Sequence, residues 1–514
     1  MSSASSASPL SAPADENIAG DENSPRRSYE TAIEAAGSTR EESDSLGTLA
    51  IPAEAYWGIH TARAMQNFPI TRRAIYNYPD LVRALAYVKQ AAARANAELG
   101  VLDAAKAKVI EQACQEIIDG ALHAEFRVGV IQGGAGTSTN MNANEVIANR
   151  ALELLGHAKG DYQHLSPLDD VNRSQSTNDV YPTAIKLATV FGIRRLQAEH
   201  AKLRESFAAK GREFSEILKI GRTQLQDAVP MTLGQEFRGF AHTLGEDYDR
   251  LAETVPWLGE ISMGATAIGT GITADPRYAE AVCRHLGEVA GVTVVTAADL
   301  IEATSDVGIF MTVSGILKRS AVKLSKICND LRLLSSGPQA GLGEINLPAK
   351  QAGSSIMPGK VNPVIPEVVN QVAFSVIGAD ATVTAAAEGG QLQLNAFEPV
   401  IAHSILQSLY WMTNACYTLR INCIDGITAN TDRLAAQVQT SVGVVTALTP
   451  YIGYKAAAEL AHTALLTNDS IADLVVAAGL MTSEDVARVL SPGRLSGTVP
   501  MTAAITLPKL EQED

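Results

Sequence analysis

The chain has 514 residues, of which 46% are hydrophobic, 19% are charged and 5% are aromatic. This length suggests two to four domains, and the composition excludes a chain that is disordered throughout. The formal net charge of -15 argues against a broad surface for nucleic acid or anionic lipid. We therefore expect no nucleic-acid partner. Because no run reaches about 18 apolar residues, we also expect no membrane span.

Cysteine and histidine usage is typical of a reducing compartment. The five cysteines form no CxxC pair, and the nine histidines form no HExxH or HxH motif. The first residues lack the basic and apolar regions of a secretory signal, and early acidic residues argue against a transit peptide. We therefore expect a cytoplasmic protein that has no protein-bound structural metal.

Residues 1–45 form the first predicted segment, an acidic tail. They are rich in Ser, Ala, Pro, Asp and Glu, with nine acidic and three basic residues. Low hydrophobicity and mutual charge repulsion predict disorder here, with room for one short helix around Tyr29–Ala36.

Long amphipathic helices are predicted after this tail. Asp80 is expected to cap one helix that closes at Gly100, and Pro366 is expected in the first turn of another. Apolar stripes at helical spacing cover residues 185–207 and 313–334. Long stripes joined by Gly- and Pro-rich connections predict a bundle of long antiparallel helices rather than a parallel sheet.

Three polar, glycine-bearing stretches interrupt the helices at residues 131–145, 172–179 and 353–363. Each offers hydroxyl or amide side chains and free backbone N–H groups close to an expected helix start. Uncharged donors of this kind can surround a carboxylate, although Ser, Thr, Asn and Gly are also ordinary loop residues. The stretches therefore predict an anion site only when they are taken together.

The third stretch carries the most chemistry. Five residues separate Gly353 from Gly359 and Val361 follows Lys360, whereas a phosphate-binding P-loop needs four residues and then Ser or Thr. Ser354 could act as a base only as an alkoxide, and Lys360 could anchor a substrate carboxylate as a point charge. The residues alone predict an anion site with a serine in a mobile lid, and they leave the reaction open.

Residues 353–363, Gly-Ser-Ser-Ile-Met-Pro-Gly-Lys-Val-Asn-Pro, resemble the signature loop of the aspartase/fumarase superfamily. Members of this superfamily eliminate fumarate or a related product from succinyl-type substrates. The resemblance extends from about residue 40 to the 490s, and residues 133–145 and 220–236 are similar to the aspartate ammonia-lyase branch. Gln224 stands where fumarases and some of these ammonia-lyases have His.

The resemblance implies a mainly α-helical subunit with three domains. Carried over, their ranges are about 46–176 for an N-terminal domain, 177–431 for a central helical-bundle domain and 432–514 for a small C-terminal domain. The resemblance also implies a homotetramer built on a 20-helix core, in which each active site collects loops from three subunits.

The resemblance further implies a role for individual residues. Ser354 matches a base that removes a proton from Cβ of L-aspartate, which gives an aci-carboxylate intermediate that expels ammonia and leaves fumarate. The positions that match substrate-binding residues are Thr137, Ser176, Thr177 and Ser355 at the β-carboxylate, Lys360 and Asn362 at the α-carboxylate, and Asn178, Thr223 and Gln224 near the amino group. Because a glutamine cannot donate a proton as an acid, Gln224 is expected only to orient the ammonium.

Two alternatives and one auxiliary question stay open. A class II fumarase would use the same loop and base on L-malate, and a catalytically silent relative would serve as a structural protein. The resemblance implies that no cofactor is required, and it leaves room for activation by a divalent cation such as Mg²⁺.

Overall fold

A computed structural model describes residues 27–499, and helices make up most of this range. The α-helices are α1 (Arg27–Glu34), α2 (Ile59–Asn67), α3 (Pro79–Glu98), α4 (Ala104–Ile118), α5 (Thr137–Leu154), α6 (Thr177–Glu213), α7 (Leu233–Leu258), α8 (Tyr278–Ala290), α9 (Leu300–Ser305), α10 (Gly308–Leu334), α11 (Val364–Glu388), α12 (Glu398–Asn422), α13 (Thr431–Thr440), α14 (Val445–Ile452), α15 (Tyr454–Thr467), α16 (Ile471–Ala477), α17 (Ser483–Val489) and α18 (Pro492–Leu495).

The β-structure of the described range consists of two-stranded sheets. The strands are β1 (Thr39–Asp44), β2 (Gly47–Pro52), β3 (Leu218–Thr223), β4 (Gln226–Thr232), β5 (Glu260–Ile261), β6 (Val295–Thr296), β7 (Ile345–Asn346) and β8 (Thr428–Ala429). Pairing is antiparallel in β1–β2, β3–β4 and β7–β8, and parallel in β5–β6. The prediction of a mainly α protein is confirmed.

Five long helices, α6, α7, α10, α11 and α12, pack around one another in a closed ring. Between α10 and α11, Ser314 Oγ donates to Asp380 Oδ1 at 2.9 Å, and Asn370 Nδ2 donates to Ser325 Oγ at 2.8 Å. Because the residue numbers run in opposite senses, these two helices are antiparallel, as the predicted bundle requires.

The predicted apolar stripes form the inner faces of these helices. The stripe positions of both helices are buried. They are Val313, Leu317, Ser320, Leu324, Ile327, Leu331 and Leu334 on α10, and Ile185, Ala188, Ile193, Leu196, Leu203 and Phe207 on α6. Pro366 lies in the first turn of α11, where its missing N–H costs no helical hydrogen bond.

The predicted cap of α3 is wrong by two positions. The helix begins at Pro79, so Asp80 lies inside the first turn and Tyr78 is the capping residue. Proline is favoured at this position because its ring already holds a helical φ. The Asp80 carboxylate instead accepts a hydrogen bond from Arg195 Nη1 on α6 at 2.6 Å.

The short helix allowed around Tyr29–Ala36 is present as α1, whereas the prediction of disorder is wrong for residues 39–44, which form β1. Tyr29 of α1 donates its hydroxyl proton to the Ala50 carbonyl at 2.7 Å. Arg40 donates through Nη2 to the Trp57 carbonyl and through Nε to the buried Glu42, both at 2.8 Å. Composition cannot reveal this order, because the polar side chains are held by backbone carbonyls that lie later in the chain. The rest of the predicted tail, residues 1–26, lies outside the described residues.

Two apolar cores divide the described chain. The larger contains buried residues from Tyr29 to Leu434, whereas the smaller contains residues from Val438 to Val489 together with Ile220 of β3. The smaller core agrees with a separate C-terminal domain, and the boundaries at 176/177 and 431/432 stay predictions.

Among residues 27–499, one helix, α11, is long and apolar enough to cross a membrane by length and composition. A third of its most apolar window is buried within the chain. Its Asp380 carboxylate pairs with Lys318 of α10 at 2.5 Å, so part of the helix belongs to the bundle core.

Candidate active site

The first polar stretch turns sharply into α5. Gly134, Ala135 and Gly136 have φ angles of 90°, 53° and 89°, and Thr137 is the first residue of the helix. A Cβ on Gly136 would lie 2.2 Å from Cδ1 of Tyr181 on α6, so only glycine permits this approach. The glycine thereby brings Thr137 close to the start of α6.

The second polar stretch caps α6. Ser176 Oγ accepts from the Asn178 N–H at 3.2 Å, and Asp179 Oδ1 accepts from the Ser176 N–H at 3.0 Å, which completes a capping box. Because Ser176 Oγ accepts the capping bond, its own proton remains free for an anion. We call Thr137, Ser176, Thr177 and Asn178 the helix-start group.

Asp179 also holds the segment that follows β5. Its Oδ2 accepts from the Thr266 N–H at 3.0 Å and the Gly264 N–H at 3.3 Å, while Asn178 Nδ2 donates to the Ala267 carbonyl at 2.7 Å. Burial raises the pKa of Asp179 to about 7, against the lowering effect of these backbone donors and of Lys89. The helix-start group is therefore built on a buried carboxylate.

Thr223 and Gln224 lie at the tip of the β3–β4 hairpin, and we call them the hairpin group. Gln224 and Leu225 form its two-residue turn with φ angles of 53° and 63°, and Thr223 pairs with Gln226. Turns of this shape usually use Asn-Gly, because residues with a Cβ cost about 1–2 kcal/mol each in the left-handed region. The strained turn exposes 71% of Leu225.

Buried charges anchor this hairpin. Glu344 is fully buried, and its two carboxylate oxygens pair with Arg222 and with Lys219, the latter at 3.0 Å. Lys219 Nζ also lies 2.6 Å from Glu236 Oε2 at the start of α7. The strand that leads to Thr223 is therefore tied to α7 and to the chain before β7.

Residues 353–362 form the serine loop, which contains Ser354, Ser355, Lys360 and Asn362. The Gly353 N–H donates to the Lys360 carbonyl at 2.8 Å, and Asn362 Nδ2 donates to the Gly353 carbonyl at 2.7 Å. These bonds close the base of the loop. A cavity of about 540 Å³ beside it is lined by residues 349–361 alone.

Ser354 occupies the start of the exposed part of this loop. Its Oγ accepts from the Met357 N–H at 2.8 Å and from the Ile356 N–H at 3.2 Å, and Ile356 is 85% exposed. Donors that point at the oxygen favour a negatively charged form of the hydroxyl. The loop thus supplies one requirement of a serine base, namely backbone donors.

The structure brings the predicted site residues together only in part. The helix-start group lies at the adjacent starts of α5 and α6, whereas the hairpin group and the serine loop make no hydrogen bond to it among the described residues. Within residues 27–499, no hydrogen bond or ion pair joins one of these three groups to another.

Sequence reasoning missed several residues that support the helix-start group. The buried Lys89, Asn140 and Asp179 contact it or its neighbours, and Glu344 supports the hairpin group. One signal for Lys89 was available, since it follows Leu85 by four residues on the apolar face of α3.

One group of described side chains could hold a metal ion: His157, Asp161 and His164. Asp161 Oδ2 lies 3.8 Å from His157 Nδ1 and 3.6 Å from His164 Nε2. These residues follow the C-terminal end of α5, roughly 27 Å along the helix from Thr137 at 1.5 Å per residue. Two imidazoles do not fit Mg²⁺, which prefers oxygen ligands.

Two protein-family models match this chain. The lyase family matches residues 47–378, and the fumarase C C-terminus matches residues 444–497. The chain belongs to this lyase family.

Curated relatives are similar over most of their length. The aspartate ammonia-lyase of Pseudomonas fluorescens is 59% identical over 461 residues, which cover 90% of this chain and 96% of that protein. The aspartate ammonia-lyase of Escherichia coli K12 is 52% identical over 453 residues, which cover 88% and 95%. These similarities confirm the predicted superfamily and the prediction of an ammonia-lyase enzyme.

Solved structures share the fold. A Brucella melitensis "fumarate lyase:delta crystallin" bound to cobalt has a TM-score of 0.87 and 54% identity, covering 89% of this chain and all of that one. Recombinant class II fumarase from Schistosoma mansoni has a TM-score of 0.84 and 32% identity, covering 89% and 99%.

The buried Glu344 gives the first testable prediction. Glu344→Gln should lower the free energy of unfolding by about 3 kcal/mol, because Lys219 and Arg222 lose a buried counter-charge. Glu246→Gln is the matched control, since Glu246 pairs with Lys323 and Arg319 at a half-exposed position, where water screens the charges and the loss of stability should be much smaller. Denaturant unfolding monitored by circular dichroism measures both, and equal losses would contradict the anchoring role.

Proposed function

We propose that the chain catalyses the reversible deamination of L-aspartate to fumarate and ammonia. The observation that carries this proposal is the serine loop, in which Ser354 Oγ faces two backbone N–H donors and Lys360 lines the same cavity. The ammonia-lyase names of the similar proteins support the same substrate.

Ser354 is proposed as the base. As an alkoxide, its Oγ takes a proton from Cβ of L-aspartate, and the electron pair of the broken C–H bond moves into the β-carboxylate. The N–H groups of Ile356 and Met357 support the alkoxide before this step.

The helix-start group is proposed to stabilise the resulting aci-carboxylate. This intermediate carries a second negative charge, so donors that strengthen as charge develops lower the barrier. Thr137 and Thr177 lie in the first turns of α5 and α6, where free N–H groups and the helix dipoles favour an anion. Ser176 and Ser355 add hydroxyl donors.

The amino group is proposed to leave without an external acid. When the electron pair returns to form the Cα–Cβ double bond, the Cα–N bond breaks and nitrogen keeps its electrons, so a protonated amine leaves as ammonia. Because Asn178 Nδ2 donates to the Ala267 carbonyl, its amide oxygen is the atom that can accept from the ammonium. Thr223 and Gln224 are proposed to orient the same group.

Lys360 and Asn362 are proposed to anchor the α-carboxylate. Lys360 supplies the charge, while Asn362 has one amide hydrogen left after its bond to Gly353. That bond also makes Asn362 a support for the loop itself.

We propose that the active enzyme is a homotetramer whose sites are shared between subunits. No hydrogen bond or ion pair joins the three groups of site residues within residues 27–499, and the family resemblance implies that loops from three subunits complete each site. Four copies of the five-helix ring would supply the 20 helices that the family resemblance implies.

Exposed apolar side chains support this assembly. Phe374 on α11 and Tyr410 and Tyr417 on α12 are 63%, 58% and 47% exposed. Such side chains along long helices are typical of a protein interface. This assembly would also explain why α11 is apolar yet mostly unburied within the chain.

We further propose that the reaction needs no cofactor and takes place in the cytoplasm. The chemistry assigned above is carried by side chains and backbone donors, and the five cysteines are free and buried, as in a reducing compartment. A divalent cation would act only as an activator, and the imidazole-rich group at His157 does not fit Mg²⁺.

The proposed reaction predicts that the wild-type protein releases fumarate from L-aspartate and not from L-malate. Fumarate formation is followed by its ultraviolet absorbance. Release from L-malate alone would make the chain a fumarase, and release from neither substrate would indicate a catalytically silent relative.

The base assignment predicts that Ser354→Ala lowers kcat by at least ~10²–10⁴, the range typical of losing a general base. The variant should keep its oligomeric state, measured by light scattering, because the hydrogen bonds of Ser354 Oγ stay within its own loop. Ser43→Ala, which removes a hydroxyl from the exposed β1–β2 hairpin, should keep wild-type turnover. If Ser354→Ala kept more than a tenth of wild-type turnover, Ser354 would not be the base.

The α-carboxylate assignment predicts coupling between Lys360 and substrate charge. Lys360→Met should raise KM strongly, and the variant should discriminate much less than the wild type between L-aspartate and its α-amide. Measuring kcat/KM for both substrates with both proteins closes a double-difference cycle.

Lys350→Met is the matched control, because Lys350 lines the same cavity. Its discrimination between the two substrates should stay that of the wild type. A coupling energy for Lys360 within ~0.5 kcal/mol of zero would show that this lysine does not contact the α-carboxylate.

A further inference from the structure

Lys89 of α3 is completely buried, yet it lies among amides rather than carboxylates. Its Nζ donates to Asn172 Oδ1 at 2.9 Å and to Gln175 Oε1 at 3.0 Å. Burial lowers the pKa of Lys89 to about 7, with Asp179 opposing that effect. A buried lysine is costly, so its contacts indicate what it does there.

The ammonium decides the direction of the hydrogen bonds around it. A lysine ammonium has only donors, and a neutral amine still has two N–H groups for these two oxygens. As an ammonium, Lys89 therefore requires the oxygens of Asn172 and Gln175. A neutral amine could also accept through its lone pair, but the NH₂ groups of both amides already donate to the backbone carbonyls of Gln175 and Val171. Gln175 agrees with this orientation, because its Nε2 donates to the Val171 carbonyl at 3.0 Å.

Asn172 also determines the direction of the hydrogen bonds that it makes with α5. Its Oδ1 also accepts from Asn140 Nδ2 at 3.1 Å and from Asn144 Nδ2 at 3.2 Å, while its own Nδ2 donates to the Gln175 carbonyl at 3.1 Å. Since an oxygen can only accept, Asn140 must direct its NH₂ group at Asn172.

The chain of hydrogen bonds ends at the substrate site. Asn140 Nδ2 also donates to Thr177 Oγ1 at 3.1 Å, and both side chains are buried. Because the Thr177 oxygen accepts this bond, its single hydroxyl proton is left to donate elsewhere. An oxyanion in the site can take that proton as a hydrogen bond.

We propose that Lys89 is a positioning residue which, through Asn172 and Asn140, fixes the Thr177 hydroxyl as a donor toward the substrate β-carboxylate. This inference rests on the proposed function, in which Thr177 stabilises the aci-carboxylate. A hydroxyl that is already oriented needs no reorientation when negative charge develops, which is how preorganised donors accelerate such steps.

Two isosteric substitutions test the direction of the bonds. Asn140→Asp replaces the NH₂ group at Thr177 with an oxygen, so the Thr177 proton should turn toward residue 140 and kcat should fall about 10²-fold. Asn144→Asp places the same charge one helical turn away, beside the same Asn172 oxygen, but does not contact Thr177. The fold decrease in kcat for Asn144→Asp should be at least ten times smaller than the decrease for Asn140→Asp.

The Thr177→Val background makes the test decisive. If Asn140 acts through the hydroxyl, adding Asn140→Asp to the Thr177→Val variant should lower kcat by less than about threefold, because the hydroxyl is already absent. The Asn144→Asp factor should be the same in both backgrounds. An Asn140→Asp factor that is equal in the two backgrounds, or equal to that of Asn144→Asp, would overturn the proposal.

Lys89 itself is tested by two further variants. Lys89→Met removes both N–H donors and should lower kcat at least tenfold, whereas Lys89→Arg restores donors and should recover part of the loss. If Lys89→Met and Lys89→Arg both fold and have equal kcat, Lys89 does not have this role. If neither variant folds, the Asn140 and Thr177 double-mutant cycle tests the proposal.

Succinate binding, measured by calorimetry, separates this inference from the proposed reaction. A wild type without activity on L-aspartate would sink the proposed function. The same Asn140, Asn144 and Thr177 cycle read in succinate affinity would still show whether Thr177 donates to a carboxylate. A cycle without coupling in an active enzyme would sink the inference alone.

Discussion

Two buried titratable side chains, Lys89 and Asp179, support the place where α3, α5 and α6 meet. Removing such groups from water is expensive, and they persist only where hydrogen bonds satisfy them. Asp179 accepts hydrogen bonds from the N–H groups of the α6 cap and of residues 264 and 266. Lys89 donates hydrogen bonds to the side-chain oxygens of Asn172 and Gln175. The polar stretch before α6 is held from both sides, which gives the helix-start group its defined geometry.

The same principle applies to the hairpin group but not to the serine loop. Glu344 holds the strand before Thr223 through the buried Lys219 and the partly buried Arg222, so a strained turn of two residues with Cβ atoms can persist at the tip. The serine loop is closed only by hydrogen bonds at its base, and its middle is exposed. A base that must approach and leave a substrate suits the segment with the fewest buried contacts.

The separation of these groups gives the proposed assembly its chemical meaning. Residues 27–499 contain every residue type that the proposed reaction requires, and no hydrogen bond or ion pair joins the three groups that carry them. The exposed aromatic side chains of α11 and α12 offer apolar area that association would remove from water. Association and completion of the site would then be one event, so loss of the oligomer should remove activity without a change in any catalytic residue.

Periodicity, motif and resemblance were sufficient for the class of protein, the long helices and the identity of the candidate residues. The α10 stripe could be predicted because helical spacing is a local property, and all of the stripe residues from Val313 to Leu334 are buried. Composition failed for residues 39–44, since Arg40 and Glu42 are ordered by backbone groups that follow them in sequence. Asp80 was misassigned because the neighbouring proline starts the helix.

Only the tertiary structure determined which polar residues support the candidate site. By sequence Lys89 is an ordinary lysine in a helix, and its partners lie more than 80 positions away at residues 172 and 175. Glu344 is likewise 122 positions from Arg222. Hydrogen-bond direction depends on which donors and acceptors meet in space, and sequence spacing contains that information only within a single helix, strand or turn.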